Sequence, residues 1–365
     1  MENLQKFVLV LLYGGLVLHS FIVLVNPMNV NKKANLFFGL FLFFWSSYWI
    51  LDILAICMLT VSETFAKFVY FLQIFTPIML YSSVILFINP NRRFKRIDVT
   101  CSVIPFLYLI LLLFYWENEV CRKLALFINV SQNLLYLGFV YYKIRKHQQR
   151  IETISSNTEI NLQWLIKLTF LLLITITITV GYELYNIFIQ KTQDNFLMDL
   201  LFLFIVYITT YYTLRQKEIY PLDEQQRSAL LAVRLEEVVS GDKKKLLADA
   251  EFEDFKQRLL ELMETERPYL DGELNLIKLA SQMNMNPHQL SYLINNGFNE
   301  NFFQFVNKYR VNRAKFLLLD EQANNLSLVG IAYEAGFNSK TSFNTIFKKE
   351  TLLTPSEFRK KHSNL

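Results

Sequence analysis

The chain has 365 residues, 53% of them apolar, 15% aromatic and 19% charged, with a mean hydropathy of +0.24. An ordinary soluble domain is about a quarter charged, so this composition excludes a purely soluble protein. The net charge of +5 hides a segregation: residues 1–220 carry 18 Lys/Arg and 12 Asp/Glu, whereas residues 221–365 carry 19 and 20. Three cysteines without CxxC spacing exclude a disulfide scaffold and a zinc ribbon.

Seven apolar runs fill the first 220 residues: Phe7–Val25, Leu36–Leu59, Phe68–Ile88, Val99–Trp116, Leu124–Tyr142, Leu165–Phe188 and Phe196–Leu214. About 20 apolar residues are what a helix needs to cross the hydrocarbon core. Trp116, Trp164, Tyr141, Tyr142, Tyr211 and Tyr212 fall at run ends, where interfacial aromatics belong. The first run has no cleavage site after it, and Glu2 balances Lys6 ahead of it, so it is expected to be retained. Short loops on one side hold ten Lys/Arg and those on the other hold five. The positive-inside rule then places the N-terminus outside and the C-terminal part in the cytoplasm. Six or eight spans would break this charge bias.

Charged side chains within spans are costly and invite a functional reading. Asp52, Glu183 and Asp199, with Gln73, Asn129, Gln132 and Asn133, fall in the outer halves of five runs. Of these, Asp52, Gln73, Gln132, Asn133, Glu183 and Asp199 are the candidates for a sensing pocket open to the outside, suited to a polar or cationic ligand. The alternative is that the acids reach the headgroups while the amides bond helix to helix. Cys57 and Cys121 share the outer side, and their pairing is left open.

Beyond the Tyr-Pro stop at Tyr220-Pro221, Asp223–Val239 reads as a polar helix and Ser240–Lys245 as an exposed joint. Phe252, Phe255, Leu259, Leu262 and Met263 recur at helical spacing, predicting an amphipathic helix over Ala250–Thr265. Residues 221–273 balance to −6 and residues 274–365 to +5, so only the latter suit nucleic acid.

Two short helices joined by a tight turn are predicted twice in the last ninety residues. Asn275 opens Leu276–Met283, and Asn284 makes the reversal. Asn286-Pro287-His288-Gln289 then starts a second helix with an N-cap, Pro at the first position and a capping-box Gln. Leu290, Leu293 and Ile294 face its core, leaving His288, Gln289, Ser291, Tyr292 and Asn295 outward. In the repeat, Ser327 caps Leu328–Ala335, Gly336 turns, and Ser339 caps Lys340–Glu350. There Phe343, Ile346 and Phe347 face inward, and Lys340, Thr341, Asn344, Thr345 and Lys348 face outward. Thr354-Pro355-Ser356-Glu357 starts a last helix. Between the units, Phe302–Leu319 reads as one helix of eighteen residues, about 27 Å long at 1.5 Å per residue. Successive major grooves on one face of DNA lie about 34 Å apart, so such a rod suits two reading helices in adjacent grooves.

The strings LASQMNMNPHQLSYLIN, FFQFVNKYRVNRAKFLL and IAYEAGFNSKTSFNTIFKKETLLTPSEFRK resemble the C-terminal DNA-binding domain of AraC/XylS-type transcription regulators over Leu274–Lys361. The resemblance implies base reading by His288, Ser291 and Tyr292 in the first unit and by Lys340, Thr341, Asn344 and Thr345 in the second. Gln289 and Asn295 join them on the outward face, and Lys348, Lys349, Arg310 and Arg313 are expected on phosphates. Half of these outward residues would, on the plainer reading, be simply solvated, and Tyr292 and His288 have bodies apolar enough to pack. The sequence departs from the family at Asn284 and Asn299, where Gly is common, and at Leu352, where Gly usually precedes x-T-P and a leucine would be strained.

Enzyme readings find no support: the four histidines lack metal-ligand spacing, and GxxxxGK-S/T, GxGxxG and HExxH are absent. No cofactor is expected. The expected architecture is all-α: a seven-helix membrane sensor bundle over residues 1–220, a linker over 221–265, and a double helix-turn-helix domain over 266–365. The expected function is a membrane-integrated transcription regulator. Its partners would be double-stranded DNA, the bilayer, an unidentified ligand and, where two DNA-binding units pair, a second copy of the chain. The other surviving reading is a transporter or scaffold whose tail binds a protein.

Overall fold

A computed structural model of the chain describes residues 2–27, 29–90, 92, 103–115, 117–152, 163–188, 196–214, 247–320 and 325–362. The expected helix Asp223–Val239 and the joint Ser240–Lys245 lie outside the described residues, as does Cys101. Among the described residues every regular element is helical, and the all-α expectation holds. The chain divides into two compact units, Met1–Lys146 with Leu162–Ile219, and His147–Asn161 with Tyr220–Leu365.

The first unit contains α1 (Glu2–Val25), α2 (Lys32–Ser46), α3 (Ile50–Ile56), α4 (Glu63–Gln73), α5 (Thr76–Ile88), α6 (Val103–Leu113), α7 (Glu119–Glu152), α8 (Gln163–Phe188) and α9 (Phe196–Leu214), the end of α7 falling with the second unit. Among the described residues, five stretches are long and apolar enough to cross a membrane: Asn3–Val25, Glu63–Ile88, Glu119–Gln149, Trp164–Gly181 and Phe196–Leu214. The pair α2–α3, bent by 47°, would make a sixth. Of the expected run Val99–Trp116, the described helix is the shorter α6. Helix α2 packs on α1 and α5, and α9 on α1 and α8. Gly39 permits the first of these approaches: a Cβ there would stand 2.6 Å from Leu24 Cγ, and Ser20 Oγ donates to Gly39 O at 2.8 Å.

Two of these helices break, each for a local reason. Where α2 ends, the Ser46 and Ser47 hydroxyls donate to the Phe43 and Phe44 carbonyls at 2.7 and 2.6 Å. These carbonyls then compete between side chain and ladder, a cause of helix bending. Three successive backbone bonds tighten to the i→i+3 pattern, from Ser47, Tyr48 and Trp49. Where α4 ends, Pro77 lacks an N–H and its ring crowds the carbonyl four residues back. Both breaks leave backbone oxygens that neighbouring amides satisfy. Gln73 Nε2 donates to Ser47 O at 3.4 Å, and Gln132 Nε2 to Ile74 O at 2.9 Å. Tyr48 OH donates to Asn129 Oδ1 at 3.3 Å, and Asn133 Nδ2 to Asn129 Oδ1 at 2.8 Å. Trp49 Nε1 donates to Asp199 Oδ1 at 2.9 Å, tying the bend to α9.

The second unit contains α10 (Asp249–Thr265), a 3-10 turn (Pro268–Leu270), α11 (Leu276–Gln282), α12 (Pro287–Phe298), α13 (Phe302–Leu319), α14 (Leu328–Glu334), α15 (Lys340–Thr351) and α16 (Pro355–His362). It has two cores, and α13 serves both. Phe302, Phe305 and Val306 join Leu259, Met263, Leu279, Leu290, Leu293 and Ile294 in the first. Val311, Ala314, Leu317 and Leu318 join Ile331, Ala332, Phe337, Phe343, Ile346 and Phe347 in the second. Each fully buried large apolar side chain contributes about 1.5–3 kcal/mol, so the shared rod commits both cores to one helix.

Gln132→Leu is expected to orphan the Ile74 carbonyl and cost about 1–3 kcal/mol. Thermal unfolding of the full chain in detergent checks this, a lowered midpoint being expected and an unchanged one contradicting the amide's role.

Candidate nucleic-acid interface

Each helix of the two units starts on a side-chain cap. Asn275 Oδ1 accepts from Lys278 N at 3.0 Å, and Ser327 Oγ from Gly330 N at 3.1 Å. Asn286 and Gln289 exchange bonds of 2.8 and 3.1 Å, and Thr354 and Glu357 exchange bonds of 3.3 and 2.7 Å. The latter bonds hold the Glu357 carboxyl below its ordinary pKa, the backbone N–H of Thr354 contributing most. Ser339 Oγ accepts from Ser342 N at 3.2 Å. A further capping box, Asn301 with Gln304 at 2.8 and 2.9 Å, starts α13. It was missed in the sequence, although N-x-x-Q ahead of an apolar run is the same signal as at Asn286. The turns take the left-handed backbone at Asn284 (φ 53°), Asn299 (φ 55°) and Leu352 (φ 63°). Leu352 therefore adopts the strained conformation, with its side chain 84% exposed.

The second reading helix presents its expected face. Lys340, Thr341, Thr345, Lys348 and Lys349 on α15 are exposed and Asn344 is half-buried, while Phe343, Ile346 and Phe347 fill the core beneath. Lys348 and Lys349 occupy the last turn, where cations also suit the helix dipole. On α12 the face is more covered. Asn295 is exposed and donates to Ser291 Oγ at 3.4 Å, and Ser291 is buried, 7% exposed, instead of outward. His288 and Gln289 are half-buried, the latter engaged in its cap. Tyr292 is half-buried, edge-on to Phe252 of α10 at 6.0 Å between ring centroids.

Arg310 corrects the expectation of a phosphate contact. It is 2% exposed, in the interior between the two helix-turn-helix units of the second compact unit. Nε donates to Tyr269 O at 2.7 Å and Nη2 to Asp271 O at 2.8 Å. Its guanidinium carbon lies 6.0 Å from the centre of the Phe337 ring. Burial pulls the guanidinium down to about 10, with Asp271 and Glu273 acting in the opposite sense, so it keeps its charge at neutral pH. Its position was legible: Arg310 follows Val306 and precedes Ala314 by one turn each, on the buried face of the rod. Arg313, half-buried, lays its guanidinium 5.3 Å from the Phe316 ring centre.

Around Arg310 the two helix-turn-helix units interlock. Asn338 Nδ2, at the turn into α15, donates to Gly272 O at 3.0 Å and Glu273 Oε1 at 2.8 Å. Gly336 has φ 87°, and a Cβ there would overlap the Tyr269 carbonyl oxygen and stand 2.9 Å from Leu270 Cα. Lys278 Nζ meets Asp271 Oδ2 at 2.9 Å. Burial works to raise the Asp271 carboxyl, but the bonds from Lys278 and the Glu273 N–H hold it below its ordinary value.

The candidate sensing residues of the first unit are placed differently from an open pocket. Gln73, Gln132 and Asp199 are buried and bonded as described above, and Asn133 is half-buried against Asn129. The Gln73 and Gln132 amides go to helix breaks because backbone oxygens in an apolar interior demand donors. Asp52 is exposed on α3. Glu183 falls on α8 at a position whose side chain lies outside the described residues. Cys57 and Cys121 are free thiols rather than a pair.

Gly336→Ala combines a disfavoured φ with backbone overlap and is expected to cost about 2–4 kcal/mol. Thermal unfolding of the full chain reads this as a lowered midpoint, and a wild-type midpoint would contradict the close approach.

Residues 279–361 match the helix-turn-helix domain family. Over 124 residues, 34% of this chain, the sequence is 24% identical to an uncharacterized HTH-type transcriptional regulator, YtdP, of Bacillus subtilis (strain 168). The match spans 15% of that protein's length. No solved structure matches the chain at a significant level. With the caps, cores and turns above, the C-terminal part of the chain is a helix-turn-helix domain of the AraC type.

Proposed function

We propose that the protein is a membrane-integrated transcription regulator, in which apolar N-terminal helices sense a signal and the C-terminal domain binds promoter DNA. The observation that carries this reading is the clamped pair of helix-turn-helix units on one rod, with a cationic, exposed face on α15. Lys340 suits guanine, Asn344 adenine, and Thr341 and Thr345 several bases or a thymine methyl. Lys348 and Lys349 suit phosphates. Five or six span-length apolar stretches among the described residues suit a membrane, and the excess of Lys/Arg in one set of short loops favours the seven-span topology with the C-terminal domain in the cytoplasm.

Sensing, on this reading, acts at the seam of broken helices. The Trp49–Asp199 bond joins the bend of α2–α3 to α9, and the chain leaves α9 for the linker over residues 221–265. A ligand or bilayer change that shifts the seam would shift α9 and, through the linker, the placing of the DNA-binding domain or the pairing of two such domains. That no lysine lies in α9 speaks against a retinal-type photoreceptor.

Genome-wide mapping of DNA cross-linked to the membrane-embedded protein tests the reading. Discrete promoter sites are expected, and recovery of no DNA above background would leave the protein-binding tail as the better account. In fluorescence anisotropy with a recovered site, Lys348→Ala and Lys349→Ala are each expected to weaken binding across sequences. Each should also lower the slope of log affinity against log salt by about 1, and an unchanged slope would remove that lysine from the phosphates.

A further inference from the structure

The two reading helices differ in charge and in cover. Between Pro287 and Phe298, α12 carries no Lys or Arg, whereas α15 carries Lys340, Lys348 and Lys349. The N-terminal half of α10 packs against α12. Phe252 meets Tyr292 edge-on, and a Cβ at Gly297 would stand 3.4 Å from Phe252 Cζ and 3.6 Å from Lys256 Cδ. Lys256 Nζ lies 5.8 Å from the Phe298 ring centre. Glu251, Glu253 and Asp254 on these same turns are exposed; Glu251 Oε2 accepts from Ala248 N at 3.3 Å, and Glu253 and Asp254 lie 4.0 Å from Lys256 Nζ and Arg258 Nη1. Anchoring is unequal along the helix: Leu259 and Met263 are fully buried in the first core, while Phe252 and Phe255 are half-buried.

We infer that the first two turns of α10 are an autoinhibitory guard on the first reading helix. They hold Tyr292 against Phe252 and add three exposed carboxylates to turns packed on a helix that has no Lys or Arg of its own. Duplex DNA carries one negative charge per about 1.7 Å of axis, and carboxylates within a Debye length of about 10 Å repel it. The resting protein therefore engages DNA through α15, and the first unit reads bases once these turns leave α12. The guard stands where a signal arriving along the chain meets the domain. Leu247 and Phe252, at the two positions of a hydrophobic staple, precede the fully buried Leu259 and Met263. Releasing them exposes Leu247, which is buried in the first core, and the half-buried Phe252, while Leu259 and Met263 stay in place. This inference rests on the DNA-binding reading given under Proposed function.

The test uses the full chain in detergent and duplexes that it selects from a random-sequence pool, followed by anisotropy and hydroxyl-radical footprinting. Combined Glu251→Gln, Glu253→Gln and Asp254→Asn are expected to tighten binding about fivefold at low salt. The footprint should lengthen from one major-groove segment to two about one helical turn apart. A matched triple, Glu261→Gln, Glu264→Gln and Glu266→Gln, makes the same change in net charge centred about 16 Å further along the helix axis. It is expected to change affinity by less than about twofold in 0.1 M salt. Phe252→Ala is expected to lengthen the footprint as the first triple does. Equal tightening by both triples would show a general charge effect and overturn the guard, as would an unchanged affinity and footprint in the first triple. Absence of DNA binding by the wild-type chain and every variant would instead fail the DNA-binding reading itself, and the guard with it.

Discussion

A single buried guanidinium sets the geometry of the DNA-binding domain. Arg310 lies at the middle of the rod that both cores share, and it donates to two backbone carbonyls of the loop ahead of α11. That loop in turn abuts the Gly336 turn of the other unit. A charge so buried is costly unless bonded on several sides, and removing any partner leaves the rest uncompensated. The consequence is orientation. Two short helical units could otherwise swivel about one helix, and a pair of reading helices is useful on DNA only if their separation and angle are fixed.

The same physical device recurs in the apolar unit. At two helix breaks a side-chain donor comes from a neighbouring helix to a backbone carbonyl: Gln73 to Ser47, Gln132 to Ile74. In the DNA-binding domain Arg310 serves Tyr269 and Asp271, and Asn338 serves Gly272. Irregular backbone in a packed interior needs such donors, and each donor makes the position of one helix depend on another. In the first unit this links the bend of α2–α3 to α4, and Trp49 links it to α9. A seam of this kind is rigid while its bonds hold and has few intermediate arrangements, which suits a sensor.

Local signals were legible in the sequence, and three-dimensional partners were not. Caps at Asn275, Asn286, Ser327, Ser339 and Thr354 and the core faces of α12 and α15 were readable because they depend on residues three or four apart. The Asn301 cap was readable by the same rule and was overlooked. Arg310 was misassigned because charge was weighed above its place in the apolar period. Ser291 and Tyr292 were expected outward, since nothing nearby in sequence announces that Phe252 would cover the flank of α12. Gln73, Gln132 and Asp199 stood out as polar residues in apolar runs and were assigned to a sensing pocket. Their partners, Ser47 O, Ile74 O and Trp49 Nε1, lie 26, 58 and 150 residues away and could not be read from spacing.

The central claim is that Arg310 makes the two helix-turn-helix units one rigid reader. Electron-spin distance measurements on the full chain, with the native cysteines replaced and labels at Asn296→Cys on α12 and Glu350→Cys on α15, address it directly. A single narrow distance distribution is expected, broadening when Arg310 is changed to Leu. A broad distribution with Arg310 in place, or a narrow one that survives its loss, would contradict the account.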